Sequence, residues 1–321
     1  MLALNPTAVK NLKDLVSIPL PPVQEAVQPE HEWLRASDGS QLFCRIWRGK
    51  VGAPVVLYLH GIEGHSQWFE NTASILNKKG ITIYAPDRRG SGMNSRDRGH
   101  LASYKVFIDD INAILRKICT QHMGHPIILW GNCWGAKAAT LFAQEHSKGA
   151  SELGVPDAFP ISALVLSSPA IYSKVDYDLK TKLEIAANAM LGDRRALRKW
   201  PIPLTTQMFT DNPVYLEYLE KDPLRLREAT ATFFVQSHKL GGMAEKTAGN
   251  ISMPVMIVQP GTDAIIDTDK LSKWFSRLKS SDKTMRVFPD AQHCLDFDAN
   301  WFKEYTHLIS EWLLSRLPAV S

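Results

Sequence analysis

The sequence predicts an α/β domain, with a mostly parallel central sheet flanked by helices and interrupted by a helical insertion. Three observations carry that prediction. Runs such as Val55-Val56-Leu57-Tyr58-Leu59 and Val255-Met256-Ile257-Val258 are apolar throughout rather than alternating, the mark of strands buried on both faces. Helical stretches separate these runs, and strand–helix–strand order demands parallel pairing with crossovers on both sides of the sheet. Between residues 171 and 250 the alternation stops, and the segment turns helical in flavour and charged.

Composition narrows the classes. A chain of 321 residues makes one large domain or two small ones. Apolar residues are 45% and charged residues 22%, both ordinary for a globular chain, which excludes disorder, collagen and coiled coil. No run approaches the ~20 apolar residues of a membrane span, so no integral membrane association is expected. The charge of +4 gives no argument for nucleic acid. Cys44, Cys119, Cys133 and Cys294 are scattered without a C-x-x-C pair, so neither a metal site nor a disulfide framework is expected, and no cofactor is called for.

Residues 1–32 read as an N-terminal extension. Leu4, Val9, Leu12 and Leu15 line one face of a short helix, which packs on the protein's own body in preference to lying on a membrane surface. The segment lacks a basic stretch followed by an apolar run and a small-residue cleavage site, so a cytoplasmic chain is expected. Ile18-Pro19-Leu20-Pro21-Pro22 is a stiff, extended linker.

The α/β body is expected over residues 33–170 and 251–321. Residues 42–47 follow the turn signal Asp38-Gly39 and read as a strand, with Cys44 in the core. Strands follow at 55–59, 81–85, 126–130 and 163–166. Helices lie between them at 66–79, 101–122 and 134–146. The long helix at 101–122 should bury Val106, Ile108, Ile111, Ile114, Leu115 and Ile118, with Cys119 extending the stripe. Residues 171–250 form the inserted cap. Beyond it come strands at 255–258 and 285–288, a helix at 271–278, and a terminal helix over 301–317.

The sharpest chemical signal is Leu129-Trp130-Gly131-Asn132-Cys133-Trp134-Gly135-Ala136, a strand running through G-x-C-x-G into a helix. A nucleophile raised on so tight a turn needs small neighbours, which Gly131 and Gly135 supply. The helix N-terminus favours a thiolate on Cys133, and the Trp134 N–H points where an oxyanion would form. His60-Gly61-Ile62-Glu63-Gly64-His65 follows a buried strand and can present the Ile62 N–H as a second donor, with His60 bracing the loop. Asp263, at the end of the 255–258 strand, is placed to orient an imidazole, while Asp267 alternatively caps the next helix. His293, in the loop after the last strand, is the natural general base, and Cys294 beside it is a packing residue. The chain order nucleophile, acid, histidine suits three groups sharing one sheet edge.

These residues resemble the α/β-hydrolase superfamily, closest to monoacylglycerol-lipase-like enzymes, from about residue 33 to the end. His60-Gly61-Ile62-Glu63-Gly64-His65-Ser66 is similar to their oxyanion loop, and Pro86-Asp87-Arg88-Arg89-Gly90-Ser91-Gly92 to the loop after their next strand. The resemblance implies the α/β-hydrolase fold with a helical cap. This chain departs from it by holding Cys133 where most relatives have serine. A cysteine intermediate is a thioester, which hands acyl groups to thiols and amines well in comparison with water. The expected function is therefore a cysteine-dependent acyl-transfer enzyme, an acyltransferase or a thioesterase/hydrolase, working through an acyl-thioester on Cys133. Its substrate would be a small molecule or an acyl-thioester presented by coenzyme A or an acyl carrier protein. The alternative is a carboxylester or lactone hydrolase, lipase-like, on a small or lipid substrate. A second alternative is a non-catalytic ligand-binding protein. Met190, Leu191, Trp200, Met208, Phe209, Phe233 and Phe234 either line a site for an apolar acyl group or pack the cap on the core. The cluster Arg194, Arg195, Arg198, Lys199 reads as a solvated face before it reads as a surface for an acidic carrier.

Overall fold

The computed structural model describes residues 17–23, 25–148 and 161–316; the amphipathic stretch from Leu4 to Leu15 lies outside them. An eight-stranded sheet runs through the body. Its strands are β1 (Glu30–Arg35), β2 (Gln41–Trp47), β3 (Val55–Leu59), β4 (Thr82–Pro86), β5 (Ile127–Asn132), β6 (Ile161–Ser167), β9 (Val255–Pro260) and β10 (Lys283–Phe288). Their order is β1-β2-β4-β3-β5-β6-β9-β10. From β4 to β10 every neighbouring pair is parallel, while β2 runs antiparallel to both β1 and β4. Strands β3 and β9, apolar but for Gln259 near the end of β9, are buried along their whole length, as a nearly continuous hydrophobic run requires.

Helices α1 (Glu70–Lys78), α2 (Tyr104–Gln121), α3 (Ala136–Lys148), α8 (Thr268–Ser276) and α9 (Phe302–Leu314) belong to the body. One core cluster contains Leu57, Leu129, Leu164 and Ile257 with α2 and α3, and a second contains Val56, Ile128, Val165 and Val258 with α1 and α9. Alternate residues of each strand thus feed opposite faces.

Several boundaries differ from the sequence expectation, each for a local reason. The strand β1 begins at Glu30, inside the expected extension. It is a charged, exposed edge strand, EHEWLR, and carries no continuous apolar run. The helix expected from residue 66 starts as a 3-10 turn over Ser66–Phe69 before α1. The helix expected from residue 134 starts at Ala136, after a 3-10 turn over Cys133–Gly135. In α2 the Ser103 hydroxyl caps the helix by accepting from the Lys105 amide, and Phe107, not Val106, is buried.

Residues 171–250 contain α4 (Leu179–Met190), α5 (Asp193–Ala196), α6 (Pro213–Lys221) and α7 (Ala231–Ala244). They also hold a feature that the sequence did not announce, a short antiparallel pair of β7 (Lys199–Pro201) and β8 (Glu228–Thr230).

Candidate active site

Strand β5 delivers Cys133 into a turn so tight that its φ is +49°, a left-handed conformation costly for a side-chain-bearing residue. The neighbouring glycines explain how the turn is reached. A Cβ at Gly135 would lie 2.1 Å from the Leu59 carbonyl oxygen, and one at Gly131 would lie 2.5 Å from the Ala136 Cα. The loop after β3 comes equally close, since a Cβ at Gly61 would lie 3.1 Å from the Cys133 Cβ and 3.5 Å from its Sγ. Gly61 thereby brings its loop against Cys133, and the adjoining Ile62 lines the same cavity as the thiol. Cys133 is buried, at the head of α3.

The loops after β9 and β10 bring Asp263 and His293 to the same sheet edge. His293 Nδ1 lies 2.9 Å from Asp263 Oδ2 and 3.0 Å from Oδ1. Asp263 Oδ1 also accepts from the Ile265 and Ile266 amides at 2.8 and 3.1 Å, and Gln259 Nε2 donates to Oδ2 at 3.2 Å. Burial works against the Asp263 charge, but His293 and the two amides outweigh it and hold the carboxyl below its ordinary range. Burial likewise opposes a charged His293, yet Asp263 and Cys133 lift the imidazole to about 10. Its Nε2 is buried, and with Nδ1 held by Asp263 the Cys133 side chain is the other group that interacts with the imidazole, which leaves that nitrogen for the thiol or a substrate. Asp267 does the other job read for it, accepting from the Lys270 amide at 3.0 Å as the N-cap of α8.

His60 braces its loop, with Nδ1 2.8 Å from the Gly61 carbonyl and Nε2 accepting from the Arg88 amide at 2.8 Å. His65 does not reach the site. Its Nε2 lies 2.8 Å from Asp222 Oδ2, fully buried, and Trp68 Nε1 donates to the same oxygen at 2.8 Å. Of the remaining cysteines, Cys44 and Cys294 are buried and Cys119 is partly buried against the core.

Four contributors were given no site role from the sequence, although Arg88 falls in the loop Pro86-Asp87-Arg88-Arg89-Gly90-Ser91-Gly92 quoted above. Arg88 donates to the Ile62 carbonyl at 3.0 Å, and its guanidinium stands 4.6 Å over the Trp134 ring, so one cation braces both candidate oxyanion residues. Ser168, itself at φ +44°, donates its hydroxyl to the His293 carbonyl at 2.6 Å and pins that loop. Asp222 and Arg225 tie residues 171–250 to the loop after β3. Arg225 Nε lies 2.7 Å from Glu63 Oε2, and the Leu226 amide donates to the Glu63 carbonyl at 2.9 Å. Each of these groups acts through a partner distant in the chain.

A cavity of about 770 Å³ opens over Cys133. Ile62, Cys133 and Trp134 line it from the body, and residues of α4 and α7 from above; His293 is not among the lining residues. Of the seven apolar residues read from the cap, only Phe234 lines this space. Trp200, Phe209 and Phe233 are buried in core clusters with Met208 packed against one of them, whereas Met190 and Leu191 are exposed. Arg194, Arg195, Arg198 and Lys199 are exposed; Arg198 stands 4.8 Å over Trp200, and Lys199 pairs with Glu228 at 3.0 Å. Among the described residues there is no cluster of three or more potential metal ligands, and no helix is long and apolar enough to cross a membrane.

Comparison with known proteins gives consistent results. Residues 52–300 match the Hydrolase_4 family, described as serine aminopeptidase, S33. The monoglyceride lipase of Homo sapiens is 26% identical over 264 residues, covering 81% of this chain and 82% of the relative. Phospholipase YtpA of Bacillus subtilis is 22% identical over 251 residues, covering 77% of this chain and 91% of the relative. Among solved structures, a soluble variant of monoglyceride lipase from Saccharomyces cerevisiae, in complex with a substrate analog, aligns with a TM-score of 0.79 at 20% identity. It covers 94% of this chain and 100% of that one. A monoacylglycerol lipase from Paleococcus ferrophilus aligns with a TM-score of 0.71 at 23% identity, covering 86% and 99%. At these identities the likeness to the solved structures is one of fold.

Proposed function

We propose, for a chain that belongs to the Hydrolase_4 family and has the α/β-hydrolase fold, a lipase- or esterase-like hydrolase that cleaves acyl esters through Cys133. The observation that carries this reading is the convergence of three loops on one sheet edge. Cys133 stands after β5, Asp263 after β9 and His293 after β10, with the Gly61–Ile62 turn against the thiol. The relatives named as monoglyceride lipases and as a phospholipase favour a lipid ester over a thioester presented by coenzyme A or a carrier protein. Residues 171–250 serve as the cap that shapes the cavity.

In the proposed reaction His293, oriented through Nδ1 by Asp263, takes the Cys133 proton on Nε2. The thiolate attacks the ester carbonyl, and the oxyanion collects hydrogen bonds from the Ile62 and Trp134 amides. The carbon–oxygen bond breaks, His293 protonates the leaving alcohol, and the acyl group stays on sulfur as a thioester. His293 then deprotonates a water that attacks the thioester, releasing the carboxylic acid and restoring the thiol. Cysteine at the nucleophile position favours a second reading, in which an amine or thiol replaces water as acceptor.

Turnover of p-nitrophenyl esters and of a monoacylglycerol, followed by fatty-acid release, tests the proposal. The expected result is hydrolysis that is lost in Cys133→Ala. An acyl product on added amine or thiol in place of free acid would shift the function to transfer. No turnover of any ester or thioester would refute an acyl-processing role.

A further inference from the structure

Among the groups lining the cavity, Lys137 stands apart. It lies on the first turn of α3, four residues after Cys133, and projects beneath α7. Its ammonium makes no hydrogen bond or ion pair with the described residues; of the other lysines that line the cavity, Lys182 and Lys270 are paired with Asp176 and Asp267, and Lys239 is exposed on α7. The space that it occupies is kept open by a glycine, because a Cβ at Gly241 would lie 3.3 Å from Lys137 Nζ. Burial brings the ammonium down to about 8, against the raising effect of Cys133 and Glu245. A partly buried cation held in no ion pair is incompletely compensated, and an incoming anion relieves that.

We propose that Lys137 makes the cavity selective for acyl esters carrying a second, carboxylate group, which pairs with its ammonium while the scissile carbonyl sits at Cys133. The inference rests on the reading of Cys133 as nucleophile. The acyl portion is the part that extends toward Lys137. The leaving alcohol must depart beside His293, which protonates it, and His293 does not line this cavity. Glu245 lines the same cavity and acts on the Lys137 ammonium, so the excess positive charge beside it is small, which fits a carboxylate better than a phosphate dianion.

The test compares p-nitrophenyl hexanoate with the mono-p-nitrophenyl ester of adipic acid, similar in length but with a terminal carboxylate. The full chain is assayed beside its Lys137→Met and Lys137→Arg variants. The expected result is a preference of about tenfold in kcat/KM for the adipate ester, lost in Lys137→Met and largely kept in Lys137→Arg, with hexanoate turnover little changed. Equal loss on both esters in Lys137→Met would show that the charge serves the thiol and not the substrate, and would overturn the inference. So would a wild type without preference. Calorimetric binding of the monomethylamide of adipic acid, which needs no chemistry, separates the two claims. If the amide binds in a Lys137-dependent way while neither ester acylates Cys133, the nucleophile reading falls and the anion site stands. If both esters acylate Cys133 and the amide fails to bind, the anion site falls alone.

Discussion

Cys133, Asp263 and His293 come from three separate loops, and each has the surroundings that its proposed role needs. Two aspartates compete for the acid role on sequence grounds, and substitution separates them. Asp263→Asn should cut turnover by several orders of magnitude, because the imidazole loses the partner that fixes its tautomer. Asp267→Ala should leave turnover intact and cost about 1 kcal/mol as a lost helix cap, read from urea denaturation. The His293 imidazole is raised to about 10 from its ordinary 6.5, so the folded state holds that proton more tightly than the unfolded chain. Its contribution to stability is complete below about pH 6.5 and is lost as pH rises through about 10. Denaturation midpoints should therefore fall across that window in the wild type and fall less in His293→Gln; equal slopes would contradict the pairing. These residues were legible because each sits in a short local pattern. Arg88, Ser168 and Lys137 were not, since an arginine in a loop or a lysine on a helix looks the same whether it faces solvent or the site.

At the scale of elements, the turn joining β5 to α3 is the most demanding piece of backbone. Gly135→Ala places a methyl against the Leu59 carbonyl oxygen at 2.1 Å, where backbone rather than a flexible side chain must yield. The expected loss is about 3 kcal/mol by urea denaturation. Gly242, inside α7 with nothing within 4 Å of an added methyl, gives the opposite sign: Gly242→Ala should stabilise by about 0.5–1 kcal/mol. The buried strands could be read from sequence because burial on both faces forces unbroken apolarity. Strand β1 could not, because an edge strand with charged and exposed positions meets only one neighbour and carries no such run. The pair β7–β8 escaped for a similar reason: each strand has three residues, too few for any period to show.

Across the whole molecule, residues 171–250 are joined to the loop after β3 by buried polar pairs that no local pattern reveals. His65 and Asp222 are 157 residues apart, and Arg225 and Glu63 are 162 apart. The Glu63–Arg225 pair is almost wholly buried, and removing one partner strands the other. Glu63→Leu should cost about 3–5 kcal/mol, because the guanidinium it leaves behind has no neutral form to adopt. Burial lifts the Glu63 carboxyl to about 7 despite Arg225, so in Arg225→Met it can take up a proton. A carboxyl raised in the fold stabilises below its unfolded value and loses that effect as pH rises through its folded one. Arg225→Met should therefore be more stable at pH 6 than at pH 8 by chemical denaturation; a flat profile would show that Glu63 keeps its charge without the arginine.

The central claim is that Cys133 carries the acyl group. Intact-mass analysis of the full chain, quenched during turnover of p-nitrophenyl hexanoate and followed by peptide mapping, tests it directly. The account predicts one hexanoyl adduct on Cys133, cleaved by hydroxylamine and absent from Cys133→Ala. An adduct on another residue, or undiminished turnover in Cys133→Ala, would contradict it.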